Sequence, residues 1–314
     1  MTRIHGILVS YRRPGALARS LDAIEGSSVQ PDELLVVDHE ATDATTAVVE
    51  AAARRAPWIR HLPVERNLGP AGGRALGMEH VVPSAADEDW ITLFDDDDPL
   101  PHPQLLGLLS ERASELAGRS GQIGGVGLRG STFDRRRGYP VPVELQHDRD
   151  APVDYLHGGF FPCYRVGAVR AVGPFRSSLF FGWADLEYGL RLRRAGYELW
   201  MAVDLWRRDA SSMGHPSERV RPALGLEPAD ARRYYRMRNW FRLLPEYAGW
   251  PTTARVFALA GLAKPIMNLP VQPLLAWRHL RLNVRAGWDA ARGVEGPDGP
   301  NRWTGVPSGV EEEG

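Results

Sequence analysis

Cysteine is nearly missing from this 314-residue chain, with Cys163 as its sole representative. No disulfide can form within the chain, which fits a reducing cytosol. A lone cysteine in an apolar stretch, with no base partner to nominate, reads as a packed side chain rather than a nucleophile. Lysine is equally scarce: Lys264 stands alone, so positive charge is carried almost entirely by arginine. No apolar run approaches the ~20 residues that a membrane-spanning helix needs. The N-terminus enters a strand pattern without a charged-then-apolar leader. These absences predict a protein that is not integral to a membrane. A net charge of -1 excludes an overall bias toward nucleic acid.

What is present is an alternation. Strands are predicted at Ile4–Ser10, Leu34–Asp38, Trp58–Val64 and Trp90–Phe94, with helices over Pro14–Glu25, Asp43–Ala56, Gly72–Val82 and Pro101–Leu116. Near-continuous apolar strands alternating with helices predict a parallel sheet covered on both faces. Ligands bind such sheets beyond the carboxyl ends of the strands, where Asp38 and the run Asp95–Asp98 fall. Further on, Ile123–Leu128, Val153–His157 and Tyr197–Val203 read as strands and Asp185–Ala195 as a helix. From about residue 228 the pattern becomes arginine-rich, aromatic helices interrupted by Pro245, Pro251, Pro265, Pro270 and Pro273. Between Arg191 and Arg292 there are 18 Arg plus Lys against 8 Asp plus Glu, an excess of ten positive charges. That asymmetry predicts an anionic partner, a membrane surface or a phosphorylated substrate, or else a solvated basic face.

Four consecutive carboxylates after a buried strand repel one another unless a cation sits among them. Carboxylates two apart on an extended turn point the same way, which suits a hard divalent cation; Mn2+ or Mg2+ held by one or two carboxylates plus substrate phosphates is the usual arrangement. The competing reading is a solvated acidic turn before a helix. Asp38, at a strand end, is placed to accept from an imide N–H or a ribose hydroxyl. As a helix cap it is less well placed than Thr42 or Asp43. Arg74 follows a glycine-rich segment near a helix start, where a cation and free N–H groups meet phosphate. Gly69, Gly72 and Gly73 do not form the G-x-G-x-x-G fingerprint, which disfavours a nicotinamide cofactor.

Five segments, in order, resemble the family 2 glycosyltransferases: ILVSYRRP (Ile7–Pro14), VVDHEATDAT (Val36–Thr45), NLGPAGGRALG (Asn67–Gly77), FDDDDPLP (Phe94–Pro101) and FFGWADLEYGLRLRRAGYEL (Phe180–Leu199). The resemblance covers about residues 3–245. It implies an α/β chain of the GT-A fold, a doubly wound, mostly parallel nucleotide-binding sheet with a C-terminal helical extension. The implied domains are a catalytic domain over 1–225 (nucleotide-sugar half about 1–120, acceptor half about 121–225), a helical extension over 226–292 and a disordered tail over 293–314.

By motif, the resemblance implies that Ser10, Tyr11, Arg13, Asp38, Asn67, Arg74 and Asp96 hold the donor nucleotide. Asp96 and Asp98 become the metal pair for Mn2+ or Mg2+, with the Asp95/Asp97 frame still open and His215 as a further candidate ligand. Asp185 becomes the general base, with Glu187 as the alternative. Gly158, Gly159 and Trp183, together with Glu187, would line the sugar or acceptor side. Where the family has Asn-Gly after its aspartate, this chain has His39-Glu40, a departure that bears on the tightness of that turn. The stretch Tyr234–Asn239 looks like one that follows the catalytic domain in many relatives, its arginines directed at a diphosphate or anionic acceptor.

The implied reaction is inverting transfer from a UDP- or dTDP-linked sugar to the hydroxyl of a glycan, lipid-linked or small-molecule acceptor. The competing classes are a sugar-phosphate nucleotidyltransferase, whose Gly-rich, Lys-containing first loop SYRRPGAL does not supply, and a non-catalytic nucleotide-sugar-binding protein. Trp250, Phe257, Leu274, Leu275 and Trp277 alternate with Arg278, Arg281 and Arg285, a pattern that suits a helix lying on a membrane surface, packed on the protein, or at a dimer contact. The expected location is the cytoplasm, with the inner face of the cell membrane as a candidate contact.

Overall fold

The computed structural model describes residues 2–143, 149–210 and 231–297. The chain forms two compact units: Met1–Thr132, Pro142–Ser177 and Asp185–Ser217 make the first, and Phe133–Val141, Ser178–Ala184 and Glu218–Gly314 the second. In the first, β1 (Ile4–Tyr11), β2 (Glu33–His39), β3 (Ile59–Val64) and β4 (Trp90–Asp95) alternate with α1 (Pro14–Glu25), α2 (Asp43–Arg55) and α3 (Gly69–Val81). Then follow α4 (Leu105–Arg119), β5 (Ile123–Gly127), β6 (Gly130–Asp134), β7 (Tyr139–Pro142, nearly all of it in the second unit), β8 (Asp150–Val153), β9 (Tyr155–Leu156), β10 (Cys163–Arg165) and α5 (Val166–Val172). The unit closes with α6 (Ala184–Arg194), β11 (Glu198–Ala202) and α7 (Val203–Asp209).

The main sheet has the order β3-β2-β1-β4-β10-β5-β11-β8. Strands β1 to β4 pair in parallel, as the unbroken apolar runs predict. Ile7, Leu8, Val36, Val37, Ile91 and Leu93 are each 0% exposed, because helices cover both faces. α2 starts on a reciprocal cap in which Thr42 Oγ1 accepts from Thr45 N and Thr45 Oγ1 accepts from Thr42 N. Asp38 is thus spared from capping.

Two predicted elements are redrawn, and a strand not predicted from the sequence enters the main sheet. The helix after the acidic run begins at Leu105 rather than Pro101; Pro103 instead turns its carbonyl to Ser28 N. The run Val153–His157 divides into β8 and β9. Asp154 N turns to Ser131 O, and β9 leaves the main sheet to pair with β6. Between β4 and β5 the short β10 runs antiparallel to both. It carries Cys163, whose Sγ lies 3.2 Å from Thr92 Oγ1 and whose thiol burial pushes up to about 11. That group is packed and inert, as its isolation in the sequence suggests.

In the second unit, α8 (Ala231–Tyr247), α9 (Trp250–Val256), a π-helical segment Phe257–Ala263, α10 (Lys264–Met267) and α11 (Pro273–Ala291) form the helical extension. Among the described residues no helix is long and apolar enough to cross a membrane.

Candidate active site

The sheet topology places the polar residues. From β1 the chain builds β2 and β3 on one side, then returns to place β4 on the other, and at such a reversal loops diverge and open a crevice at the carboxyl edge. Ser10 aligns with Asp38 and Tyr11 with His39 across β1 and β2, while Val9 aligns with Asp95 across β1 and β4. Ser10, Asp38 and the acidic run therefore share one edge.

The four aspartates of the run meet four different environments. Asp95 pairs with Arg74, whose Nη2 donates to both its oxygens at 2.9 and 3.0 Å. Asp96 turns back to β1 and accepts from Ser10 Oγ at 2.9 Å and from Tyr11 N at 3.3 Å, with Arg13 Nη1 at 3.5 Å. Asp97 is exposed and meets Arg13 Nη1 at 2.6 Å. Asp98 has no hydrogen-bond or ion-pair partner among the described residues. Burial, then the charges of Asp97, Asp95 and Asp96, push its carboxyl up to about 6. Burial also lifts Asp96 to about 6, against the donors from Ser10 and Arg13.

Arg74 is the hub. It is 5% exposed, and its Nη1 donates to Asp185 Oδ1 at 2.7 Å while Nη2 holds Asp95. Its guanidinium lies 5.9 Å from the Phe175 ring centroid, and Phe175 stacks in turn on Tyr188 at 4.2 Å. Burial pulls the guanidinium pKa down, but Asp95 and Asp185 outweigh it and raise it. The sequence predicts Arg74 near the helix start and directed at phosphate. In the structure α3 begins earlier, at Gly69, and two carboxylates occupy the guanidinium.

Asp185 stands in the first turn of α6. Its Oδ2 accepts from Gly158 N at 3.2 Å, and its side chain keeps 30% of its surface exposed. Crowding by protein atoms raises its carboxyl pKa, opposed by Arg74 and helped by Asp95. A side chain at Gly158 or Gly159 would displace the groups beside it. A Cβ on Gly158 would sit 2.4 Å from Arg74 Nη1, and one on Gly159 would sit 2.8 Å from Asp98 Oδ2 and 3.8 Å from Asp95 Oδ2. The two-glycine turn thus touches Asp185 through one residue and Asp98 through the next.

At the other end of the edge, Asp38 is fully buried. Its Oδ2 lies 3.3 Å from His61 Nε2, and its Oδ1 has no hydrogen-bond partner among the described residues. His39 packs under Gly73, where a Cβ would come within 2.8 Å of its Cε1. Burial drives it down to about 4, against the charges of Asp38 and Glu40. Glu40 takes the left-handed conformation (φ 49°) that glycine or asparagine adopts more easily. The tight turn survives the family departure because Arg12 Nη2 at 2.7 Å, Asn67 N at 3.3 Å and Tyr11 Oη at 3.5 Å all meet the Glu40 carboxylate. Asn67 itself accepts from Gly69 N at 2.7 Å and so starts α3.

Several predicted residues are held by other partners. Glu187 is 0% exposed and clamped by Arg176 at 3.2 Å and Arg191 at 3.1 Å; two residues along a helix from Asp185, it faces another way. Trp183 belongs to the second unit, with φ 66° and its Nε1 donating to Arg236 O at 2.8 Å. Within the stretch Tyr234–Asn239, Arg238 is 0% exposed and donates to Asn239 Oδ1 and to the carbonyls of Gly296 and Leu179. Those donors stabilise the second unit and are not open to a diphosphate. His215 lies outside the described residues. Sequence reasoning missed Glu40 and Phe175; neither has a local signal, since each acts through a partner distant in sequence.

The family model Glycosyl transferase family 2 matches residues 7–170. The chain is 30% identical over 211 residues to a galactofuranosyltransferase, GlfT1, of Mycobacterium tuberculosis, covering 64% of this chain and 68% of that protein. With an N-acetylglucosaminyl-diphospho-decaprenol L-rhamnosyltransferase of the same organism it shares 24% identity over 275 residues, 78% of this chain and 85% of the other. A solved mannosyltransferase, PcManGT from Pyrobaculum calidifontis in complex with GDP-Man and Mn2+, superposes with a TM-score of 0.52 at 17% identity, over 92% of this chain and 87% of that one. The protein belongs to glycosyl transferase family 2 and is built on the GT-A fold.

Proposed function

We propose that the protein transfers a sugar from a UDP- or dTDP-linked donor to an acceptor hydroxyl by direct displacement with inversion, on the cytoplasmic side. The observation that carries this reading is the Gly158-Gly159 turn, which meets the one unneutralised acid of the run, Asp98, and the Arg74-held acid Asp185 on adjacent residues. An acid on the diphosphate side and an acid on the acceptor side of one narrow backbone segment is what a single displacement needs.

Asp185 acts as general base. Its raised carboxyl is a better proton acceptor than an ordinary aspartate, and Arg74 and Gly158 N fix its orientation. It takes the acceptor hydroxyl proton as that oxygen attacks the anomeric carbon and the bond to the nucleoside diphosphate breaks. At the donor end Asp38, whose Oδ1 has no donor among the described residues, accepts from the base or ribose. Ser10, Tyr11 and Arg13 hold Asp96 at the mouth of the crevice.

The acidic run fits a divalent cation. Asp98 has carboxylate neighbours but no cationic partner among the described residues, and carboxylate oxygens are hard donors. Among the described residues no group of three or more His, Cys, Asp or Glu has metal-holding geometry, so Asp98, with Asp96 or Asp95, would share Mn2+ or Mg2+ with diphosphate oxygens and water. When bound, such an ion offsets charge that develops on the departing diphosphate. The Mn2+ in the mannosyltransferase structure with GDP-Man supports a divalent cation here. The decaprenol-linked acceptor named for the rhamnosyltransferase supports a lipid-linked glycan here.

The test is thermal unfolding against a panel of nucleotide sugars with and without Mn2+, followed by transfer assays on the best donor. One UDP- or dTDP-sugar should raise Tm in a metal-dependent way, and Asp98→Asn should remove that dependence. No stabilisation by any donor with metal present overturns the reading.

A further inference from the structure

The described residues leave large apolar side chains in the open almost entirely in one stretch. Of eleven such exposed residues, nine lie between Trp250 and Trp288: Trp250 and Val271 at 72% exposure, Leu274 at 81% and Met267 at 69% are the extremes. The same stretch is one-signed. Between Glu246 and Asp289 there is no acidic residue, while Arg255, Lys264, Arg278, Arg281 and Arg285 supply five positive charges. Lys264, Arg278 and Arg281 are exposed and have no ion-pair partner among the described residues. Arg255 is likewise exposed and donates to the Arg136 carbonyl.

α11 shows how the surface is made. Its buried side is Ala276, His279, Leu282, Asn283, Ala286 and Asp289, the inward face of an ordinary packed helix. Leu274, Trp277, Arg278, Arg281, Val284 and Trp288 are exposed. At about 100° per residue they fall within a second arc roughly 120° wide, on the side opposite the buried one. Of the two faces of this helix, the described residues of its unit cover only one. An outward arc of tryptophan, leucine and valine interleaved with unpaired arginine is the composition of a helix that lies in a lipid interface.

We propose that α9 to α11 form a docking surface for an anionic lipid bilayer, with Trp277, Leu274 and Trp288 entering the headgroup boundary and Arg278, Arg281 and Lys264 meeting lipid phosphates. Charge complementarity selects this occupant: the arc carries positive charge and no acid, so two copies of it facing each other would repel. The surface stands on exposure and charge alone and is independent of the donor and base assignments.

The full-length protein is sedimented with vesicles of phosphatidylcholine, with and without phosphatidylglycerol, at low and high salt. Binding to the phosphatidylglycerol vesicles, weakened by salt, is the expected result. Arg278→Ser and Arg281→Ser should each weaken it roughly five-fold, and Trp277→Glu with Leu274→Glu should abolish it, with transfer to a soluble acceptor analogue unchanged. Thermal unfolding checks that these variants fold; if the glutamate pair does not, the arginine variants decide the matter alone. Wild-type protein left in the supernatant with anionic vesicles overturns the proposal. So does a dimer in solution that the same substitutions dissociate, which would give the face to a second copy of the chain.

Discussion

The two ends of the crevice are built on opposite principles. Around Asp185 the charges are paired: Arg74 spans Asp95 and Asp185, Gly158 N completes Asp185, and the guanidinium lies over Phe175, with only its Nε left without a hydrogen-bond partner among the described residues. Asp98, beside the same glycine turn, and Asp38, at the far end of the edge, make the open part, where acceptors are left over: among the described residues Asp98 has no cationic partner and Asp38 Oδ1 has no donor. On the proposed reading the closed end holds the base in one geometry before substrate arrives, which is how positioned groups lower a barrier. The open end keeps acceptor capacity that only a ligand can fill. Cutting into the first should damage chemistry and stability together, whereas cutting into the second should damage binding and leave the empty protein as stable or more so.

The largest expected effect is on Asp185→Asn. The amide keeps the shape and one acceptor for Arg74 but cannot take the hydroxyl proton, so kcat should fall by roughly 10³-fold. Donor affinity should barely move. An equal loss in donor binding would place Asp185 on the open end instead. Next is Arg74→Leu, which strands two carboxylates beside an aromatic wall; removing one partner of a buried ion pair costs about 3–5 kcal/mol, read as a large drop in the urea midpoint. The fraction that folds carries a second readout. Burial, the leading influence on Asp185, raises its carboxyl pKa and Arg74 lowers it, so the acid limb of kcat/KM should move to higher pH in the variant. A limb that stays put would mean Arg74 braces the fold without tuning the base.

Asp98→Asn should behave in the opposite sense. Removing one of four crowded carboxylates relieves repulsion, so the unliganded protein should melt at the same temperature or higher. Transfer should still fall by about 10²-fold, through loss of metal and donor stabilisation. A destabilised Asp98→Asn protein would erase the contrast between the two ends.

Much of this is legible in the amino-acid sequence. Unbroken apolar strands announced the parallel sheet, and strand ends located Asp38, Asp95 and the crevice, because a period of two and a buried face leave few alternatives. The frame of the acidic run was not legible. Whether Asp95, Asp96 or Asp98 is the unpaired acid depends on which way each side chain leaves the turn, and that is decided by Ser10, Arg13 and Arg74 from elsewhere in the chain. Arg74 shows the same limit from the other side: its residue type suits a phosphate, and only packing against Phe175 and α6 turns it to Asp95 and Asp185. Three-residue β10 has no period long enough to read. The outward arc of α11 was visible as alternating tryptophan, leucine and arginine, but whether the arc packs inward is a tertiary fact.

His39 gives the smallest and most discriminating test of the open end. It sits between Asp38 and Glu40 in sequence, yet burial under Gly73 pushes its pKa down to about 4. The folded state therefore holds it neutral while the unfolded chain binds a proton near the ordinary value of about 6.5. Its contribution to stability is complete above that pH and is lost progressively as pH falls toward 4. Near pH 6 the loss is under about 1 kcal/mol. Asp96 and Asp98, both lifted to about 6, act with the opposite sign, since the folded state takes up their protons first. The measurement is therefore differential: Tm between pH 7 and 5 for wild type against His39→Gln, without metal. The variant should lose the destabilising component and gain Tm relative to wild type as pH falls. Parallel curves would show that the ring is protonated as readily in the fold as outside it, and that the floor beneath Gly73 admits water.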